Sequence, residues 1–331
     1  MQRSSHASPS SPCTHNSLTT NYSVTQLDMT QNQTPQEQLQ YAASTLSTIQ
    51  STLASAQSTP LTKQANDKMV QGQIRYLDTA SAYDLWSEVY DTDGNFLQAL
   101  DTIEMKTLLP QAISVLHGGW NGELADERQI KAVDLGCGTG RSTLQLLPIK
   151  SVTRIDGLEL SPKMLEIARQ RCTNVLEQKS RPTASESESE KRIEFHIFDM
   201  LKDTLPDAAM NANLAISTLV LEHVPLQTFF RTAASILRPG GIIVMTNMHA
   251  EMGKISQAGF VDAKTGDKIR PVSYAHTVRD TLREAEEWGF LLEGEVKEVQ
   301  VEQTLAEKLG PRGRKWIGVT VWYGGIWKKV R

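Results

Sequence analysis

The stretch Val133-Asp134-Leu135-Gly136-Cys137-Gly138-Thr139-Gly140 decides the reading of this chain. An apolar run from Lys131 to Leu135 predicts a buried strand, and Ser142 to Leu147 predicts a helix. Between them stand glycines at 136, 138 and 140. Glycines in a strand-to-helix turn let the backbone bend sharply and approach a ligand closely. The helix beginning beyond the turn offers unpaired N–H groups and partial positive charge. A dinucleotide fingerprint of the form GxGxxG would need glycine at 141, where Arg141 stands. An acid, Asp134, precedes the first glycine by two residues.

Outward from the turn, strand-like and helix-like segments alternate. Strands are expected at Arg154 to Leu160, Ile193 to Phe198, Leu214 to Leu219 and Ile242 to Thr246. Helices are expected at Pro162 to about Leu176, at Gln227 to Leu237 and at Thr277 to Trp288. Such alternation calls for a parallel sheet covered by helices on both faces. Glu295 to Val301 and Trp316 to Trp322 read as an antiparallel hairpin closing one sheet edge. Gly253 to Pro271 reads as irregular.

The flanks differ in composition. Residues 1–70 are rich in Ser, Thr, Gln and Asn and predict a disordered tail, because they bury too little apolar surface to offset ordering entropy. Leu39, Ala43, Leu46, Ile49 and Leu53 space like a marginal helix within it. One domain is expected over 71–331, interrupted by a charged, low-complexity insertion at 181–191. Near its start, Tyr83, Trp86 and Tyr90 recur at helical spacing, and Phe96, Leu100 and Ile103 continue it after Asp93-Gly94-Asn95 as far as Pro110.

The glycine turn resembles the D-x-G-x-G-x-G motif of class I S-adenosylmethionine-dependent methyltransferases. That resemblance implies an α/β, Rossmann-like seven-stranded sheet, mostly parallel with a C-terminal antiparallel hairpin, and S-adenosyl-L-methionine as cofactor. It implies that Gly136, Gly138 and Gly140 wrap the methionine end, with Asp134 holding its ammonium directly or through water. Glu159, at the end of the second strand, is the expected acceptor for the ribose hydroxyls. Asp199 in Phe198-Asp199-Met200 resembles the group that takes the adenine amino nitrogen, with Met200 beside it. Leu219-Val220-Leu221-Glu222-His223-Val224 and Leu237-Arg238-Pro239-Gly240-Gly241 match the same family.

A narrower resemblance lies upstream. Ala82-Tyr83-Asp84-Leu85-Trp86-Ser87-Glu88-Val89-Tyr90-Asp91 is similar to the opening helix of ubiquinone/menaquinone-type methyltransferases, where a Tyr-Asp pair lids the cofactor, which implies a contact from Tyr90. Asp93 to Asp101 and Gly310-Pro311-Arg312-Gly313-Arg314-Lys315-Trp316 look like methyltransferases of fungal secondary metabolism, some of which N-methylate diketopiperazine amides.

A sulfonium is its own leaving group, so such a protein positions a nucleophile, excludes water, and supplies a base where the nucleophile arrives protonated. Candidate bases are His223, His249 and His276, with Glu222 beside the first; His223 and His276 stand at the strand-end side and are the expected catalytic pair. Nothing has metal-ligand spacing, so no metal is expected. With 34 basic against 38 acidic residues, a nucleic-acid partner is disfavoured. No membrane-length apolar run occurs, and the unpaired Cys13, Cys137 and Cys172 suit a reducing, cytoplasmic setting. The expected partner is a small-molecule acceptor, methylated on N or O, with oligomeric state open. Two alternatives are a non-catalytic protein of the same fold and a protein methyltransferase. The complete glycine turn argues against the first. Against the second, a protein arginine enzyme places two glutamates after the fourth strand, where only Glu222 is available.

Overall fold

The computed structural model describes residues 72–118, 129–179 and 192–331. The expected tail and its helix at 39–53, with Cys13, and the insertion at 181–191 lie outside these residues.

Strand β2 (Ile130–Leu135) is the hub of the main sheet. It pairs in parallel with β3 (Val152–Glu159) on one side and β5 (Ala212–Thr218) on the other. Strand β4 (Ile193–Ile197) lies beyond β3, and β6 (Leu237–Met248) beyond β5, both parallel. The chain therefore leaves β2 in opposite directions in its two halves. The carboxyl end of β2 is the switch point where such sheets bind ligands.

Beyond β6 runs β11 (Thr320–Lys329), antiparallel. Two short strands, β9 (Phe290–Leu292) and β10 (Lys297–Gln300), both pair with β11, giving eight strands where seven are expected. The extra strand is a split sixth position: Gly294, at φ 83°, breaks the chain between the two halves. The hairpin's second strand also lies later than the Trp316–Trp322 expected. Trp316 falls in a 3₁₀ turn, Arg314–Trp316, and β11 is buried continuously from Val321 to Trp327, so it shows no alternation to read.

The sheet's alternation sorts two cores. Ala132, Leu214, Ile216, Ile242 and Val244 face one side, where α2 (Phe96–Gly118), α3 (Thr143–Leu146) and α8 (Gln303–Leu309) cover them. Val133, Leu135, Ala215, Ile243 and Met245 face the other, beneath α5 (Leu226–Ile236) and α7 (Val278–Glu287). Helix α2 runs straight through Pro110, where a stop was expected. Proline costs a helix about 3 kcal/mol, but Leu108, Leu109, Ala112 and Leu116 are buried on the sheet around it. Fully burying one such side chain is worth about 1.5–3 kcal/mol, so packing wins.

The segment read as irregular, 253–271, completes α6 (Ala250–Ile255) and holds β7 (Phe260–Val261) and β8 (Lys268–Arg270). With β1 (Ile74–Tyr76) these form a second sheet in the order β1-β8-β7. Strands of two or three residues are too short to show a period. Their effect is to dock the first helix, α1 (Thr79–Trp86): Trp86 stacks on Phe260 with centroids 5.2 Å apart.

Candidate active site

A cavity of about 210 Å³ opens at the carboxyl ends of β2, β3 and β5. Of the residues singled out from sequence, Tyr90, Gly136, Gly138, Glu159, Asp199, Met200 and His223 line it together. Asp134, Gly140 and His276 do not.

The glycines serve different ends. At Gly136 (φ 77°) an added Cβ would stand 2.4 Å from Val220 Cγ2, so the turn closes only on glycine. At Gly138 (φ 53°) a Cβ would meet nothing within 4 Å and would enter the cavity. Gly140 sits against Ala168 of α4 (Pro162–Lys179), whose Cβ would be 3.2 Å away. Its place is helix packing.

The acids are held by the backbone. Glu159 is 8% exposed; its Oε2 accepts the Gly138 N–H at 2.9 Å and its Oε1 the Ser161 N–H at 2.8 Å. Burial raises its pKa despite these bonds. Each oxygen keeps a lone pair for a ligand hydroxyl. Asp199 accepts from the Leu201 N–H at 2.9 Å and pairs with Lys202 at 2.9 Å. Asp134 lies fully buried under the turn, with Oδ2 taking the Thr143 hydroxyl at 2.6 Å and Oδ1 unpartnered among the described residues. Burial pushes its carboxyl up to about 7. A direct contact from Asp134 to a cavity ligand is not what this geometry offers.

Four contacts tie α1 and the segment after it to the site. Asp84 accepts from Ser161 Oγ at 2.5 Å, Asp91 accepts from Thr139 Oγ1 at 2.9 Å and pairs with Arg171 at 2.9 Å, and Tyr83 bonds His223. Beneath the turn, Arg141 pairs with buried Asp101 of α2 at 2.7 Å and bonds Thr218 at 3.2 Å. Asp101 also accepts from Thr246 at 2.5 Å and Trp322 at 2.9 Å. Sequence reading missed this network, because its members are scattered through the chain.

His223 is the better placed of the two histidines. Its Nδ1 meets the Val272 carbonyl at 2.7 Å and must donate, since a carbonyl only accepts. Its Nε2 then accepts the Tyr83 hydroxyl at 2.8 Å. Burial lowers the imidazole to about 4 and raises the Tyr83 phenol well above its usual range, so the pair is neutral at pH 7. Any proton reaching His223 from the cavity passes through Tyr83. His276 lies outside this wall: its Nε2 bonds the Val224 carbonyl at 2.9 Å and its ring lies flat on Tyr274, centroids 5.2 Å apart.

Leu219, also in the wall, holds φ 58°. A left-handed backbone at a bulky residue costs about 1–2 kcal/mol and clusters at functional sites. The only sequence signal for it is its place at the end of a strand.

A methyltransferase-domain family model matches residues 133–245. An uncharacterized methyltransferase of Emericella nidulans is 48% identical over 267 residues, 76% of this chain and 91% of that protein. A demethylmenaquinone methyltransferase of Tropheryma whipplei is 28% identical over 116 residues, 35% of this chain and 40% of its own length. Among solved structures, an S-adenosylmethionine-dependent methyltransferase from Mesorhizobium loti aligns with TM-score 0.43 at 23% identity, covering 65% of this chain and 96% of that one. The residues present fit that cofactor: a glycine opening into the cavity, a strand-end carboxylate with lone pairs to spare, and a second acid on the next strand. Carrying the glycine turn, the strand order and a relative matched along most of its length, this chain belongs to the methyltransferases.

Proposed function

We propose that this enzyme methylates the N or O of a small molecule, and that the cavity at the strand ends seats S-adenosylmethionine between Gly138, Glu159 and Asp199. The cofactor supplies an activated methyl group; the chain supplies position and a dry setting. Glu159 receives the ribose hydroxyls, Asp199 with Met200 borders the adenine, and Tyr90 covers the methionine end. Asp134 acts from below, holding the helix after the turn through Thr143.

The observation that carries the small-molecule reading is the roof. Tyr83, Trp86 and Tyr90 lie over the strand ends with ring centroids 5.2–5.8 Å apart, joined to His223 from below, so an acceptor enters a narrow aromatic enclosure. Tyr83 and His223 stand ready to orient the acceptor's proton. The Asp93–Asp101 and Gly310–Trp316 resemblances support a tailoring step on a secondary metabolite. Composition supports a catalytic unit at 71–331 with 1–70 as a separate tail, and the cysteine pattern supports a cytoplasmic setting.

The test is incubation with methyl-labelled S-adenosylmethionine and a fungal extract separated by size. Label in the low-molecular-weight fraction is expected. Label confined to polypeptide would establish a protein methyltransferase instead, and binding without transfer a non-catalytic protein.

A further inference from the structure

A second cavity, about 90 Å³, adjoins the first, and Tyr83, Tyr90 and Leu219 line both. We propose that this cavity seats the acceptor, that Lys268 and Lys315 at its rim bind an anionic group of a compact aromatic molecule, and that Glu222 receives the acceptor's O–H or N–H proton. This rests on the small-molecule reading above and names its substrate class.

Glu222 is the first ground. It is 3% exposed and lines this cavity, and its Oε2 has no hydrogen-bond partner among the described residues. The nearest nitrogen of His223 is 3.9 Å from Oε1, and that histidine is neutral. Also facing the carboxyl are buried Asp101 and the hydroxyls of Tyr83, Tyr90 and Tyr323, none of which brings positive charge. Burial pushes Glu222 up to about 7, so its carboxylate and acid forms are both populated near neutrality. A buried, unmatched carboxylate is costly, and a ligand N–H or O–H would relieve it.

The cations are the second ground. Lys268, Arg312 and Lys315 line the same cavity. Arg312 is engaged by Asp93, through its carbonyl and a carboxylate oxygen at 3.7 Å. Among the described residues neither lysine has a carboxylate within ion-pair distance; Lys268 reaches only the Gly259 carbonyl at 3.4 Å, and Lys315 lies 5.0 Å over the Trp316 ring. Burial, then the charges of Arg270, Arg312 and Lys315, lower the Lys268 pKa. Like charges gathered at the rim of a cavity attract an anion. Between rim and Glu222 the walls are Trp86, Phe96 and Trp316, which suit a flat ring.

The step balances. The acceptor heteroatom forms a bond to the methyl carbon, the sulfonium C–S bond breaks with its electron pair staying on sulfur, and the acceptor's proton passes to the Glu222 carboxylate.

The test is a titration of the full chain, saturated with S-adenosylhomocysteine, by 4-hydroxybenzoate, 4-hydroxybenzamide and benzoate, followed by tryptophan fluorescence. We expect 4-hydroxybenzoate to bind about 10-fold more tightly than either analogue, as charge-assisted contacts allow. Lys268→Met with Lys315→Met should erase the preference over the amide, and Glu222→Gln should cut the preference over benzoate several-fold. Affinity for S-adenosylhomocysteine, by calorimetry, should be unchanged in both variants, which also reports that they fold. The proposal fails if the wild type shows neither preference, if the variants keep them, or if the acid competes with S-adenosylhomocysteine. Failure of the wild type to bind S-adenosylhomocysteine would instead count against the cofactor seat itself.

Discussion

The two cavities share a wall but hold charge in opposite ways. In the larger one, Glu159 is met by two backbone N–H groups, and Asp199 by one and a lysine. In the smaller one, Glu222 keeps an unpartnered oxygen, and two lysines stand without a carboxylate among the described residues. Leaving a buried polar group unsatisfied costs about 1–3 kcal/mol. On the proposed reading, the cofactor side is organised in advance and the acceptor side is completed by what enters it. A common cofactor can be met by a finished site, and a particular acceptor is recognised by the groups that lack partners.

That contrast breaks first at the supports of the finished side. Asp101→Ala strips the buried partner from Arg141 and leaves Thr246 and Trp322 without their acceptor. Breaking a buried pair costs about 3–5 kcal/mol, so thermal denaturation should show a large fall in Tm. A Tm within a degree or two of wild type would mean that the turn does not lean on α2.

A smaller but more specific effect is expected at Gly138→Val. No protein atom lies within 4 Å of the new Cβ, so the fold should survive at a strain of about 1–2 kcal/mol. S-adenosylmethionine affinity by calorimetry should fall by about 100-fold, or ~2.7 kcal/mol. Gly136→Val, meeting Val220 at 2.4 Å, should lose the fold itself. Normal cofactor binding by Gly138→Val would move the cofactor elsewhere.

The unfinished side should reveal itself through pH. With its carboxyl raised to about 7, Glu222 becomes a base only as pH passes that value, so turnover on the acceptor found by labelling should climb roughly tenfold from pH 6 to 8. Stability runs the other way. The folded protein holds this proton more tightly than the unfolded chain, so Tm should decline as pH rises from about 4.5 to 7. Glu222→Gln should flatten the turnover trend and only reduce the Tm trend, because buried Asp134 is raised to about 7 as well. A turnover profile unchanged in that variant would return the base role to His223 acting through Tyr83.

The least effect is expected at His276→Ala. Its hydrogen bond to the Val224 carbonyl is worth about 0.5–1.5 kcal/mol of stability, and turnover should stay within about 3-fold, below the 10²–10⁴ that a positioned base contributes. A loss of that larger size would show that the 272–277 loop moves to bring the imidazole inward.

How much was legible follows the same division. Gly136, Gly138, Glu159 and Asp199 were readable because each stands at or beside the end of a strand, and strand ends in a parallel sheet are brought together by the period of the chain. His276 could not be placed from sequence, because a loop position before a helix says nothing of which carbonyl the ring will meet. Glu222 could be seen beside His223, but its burial among Asn247, Met248 and Tyr323, with one oxygen left unpartnered among the described residues, depends on strands far along the chain.

The parallel sheet and the family are written in the chain, because apolar periodicity and a glycine turn act locally, within a few residues of where they stand. The second cavity exists only in the folded molecule. Its rim and walls come from α1, the turn before α2, β8 and the 3₁₀ turn at Arg314–Trp316, segments as far apart as Tyr83 and Trp316. Folding decided also that the lysines of β8 and of that turn line one cavity, close enough for Lys315 to lower the Lys268 pKa. Charge becomes chemistry only where burial removes water, and burial is a property of the assembled fold.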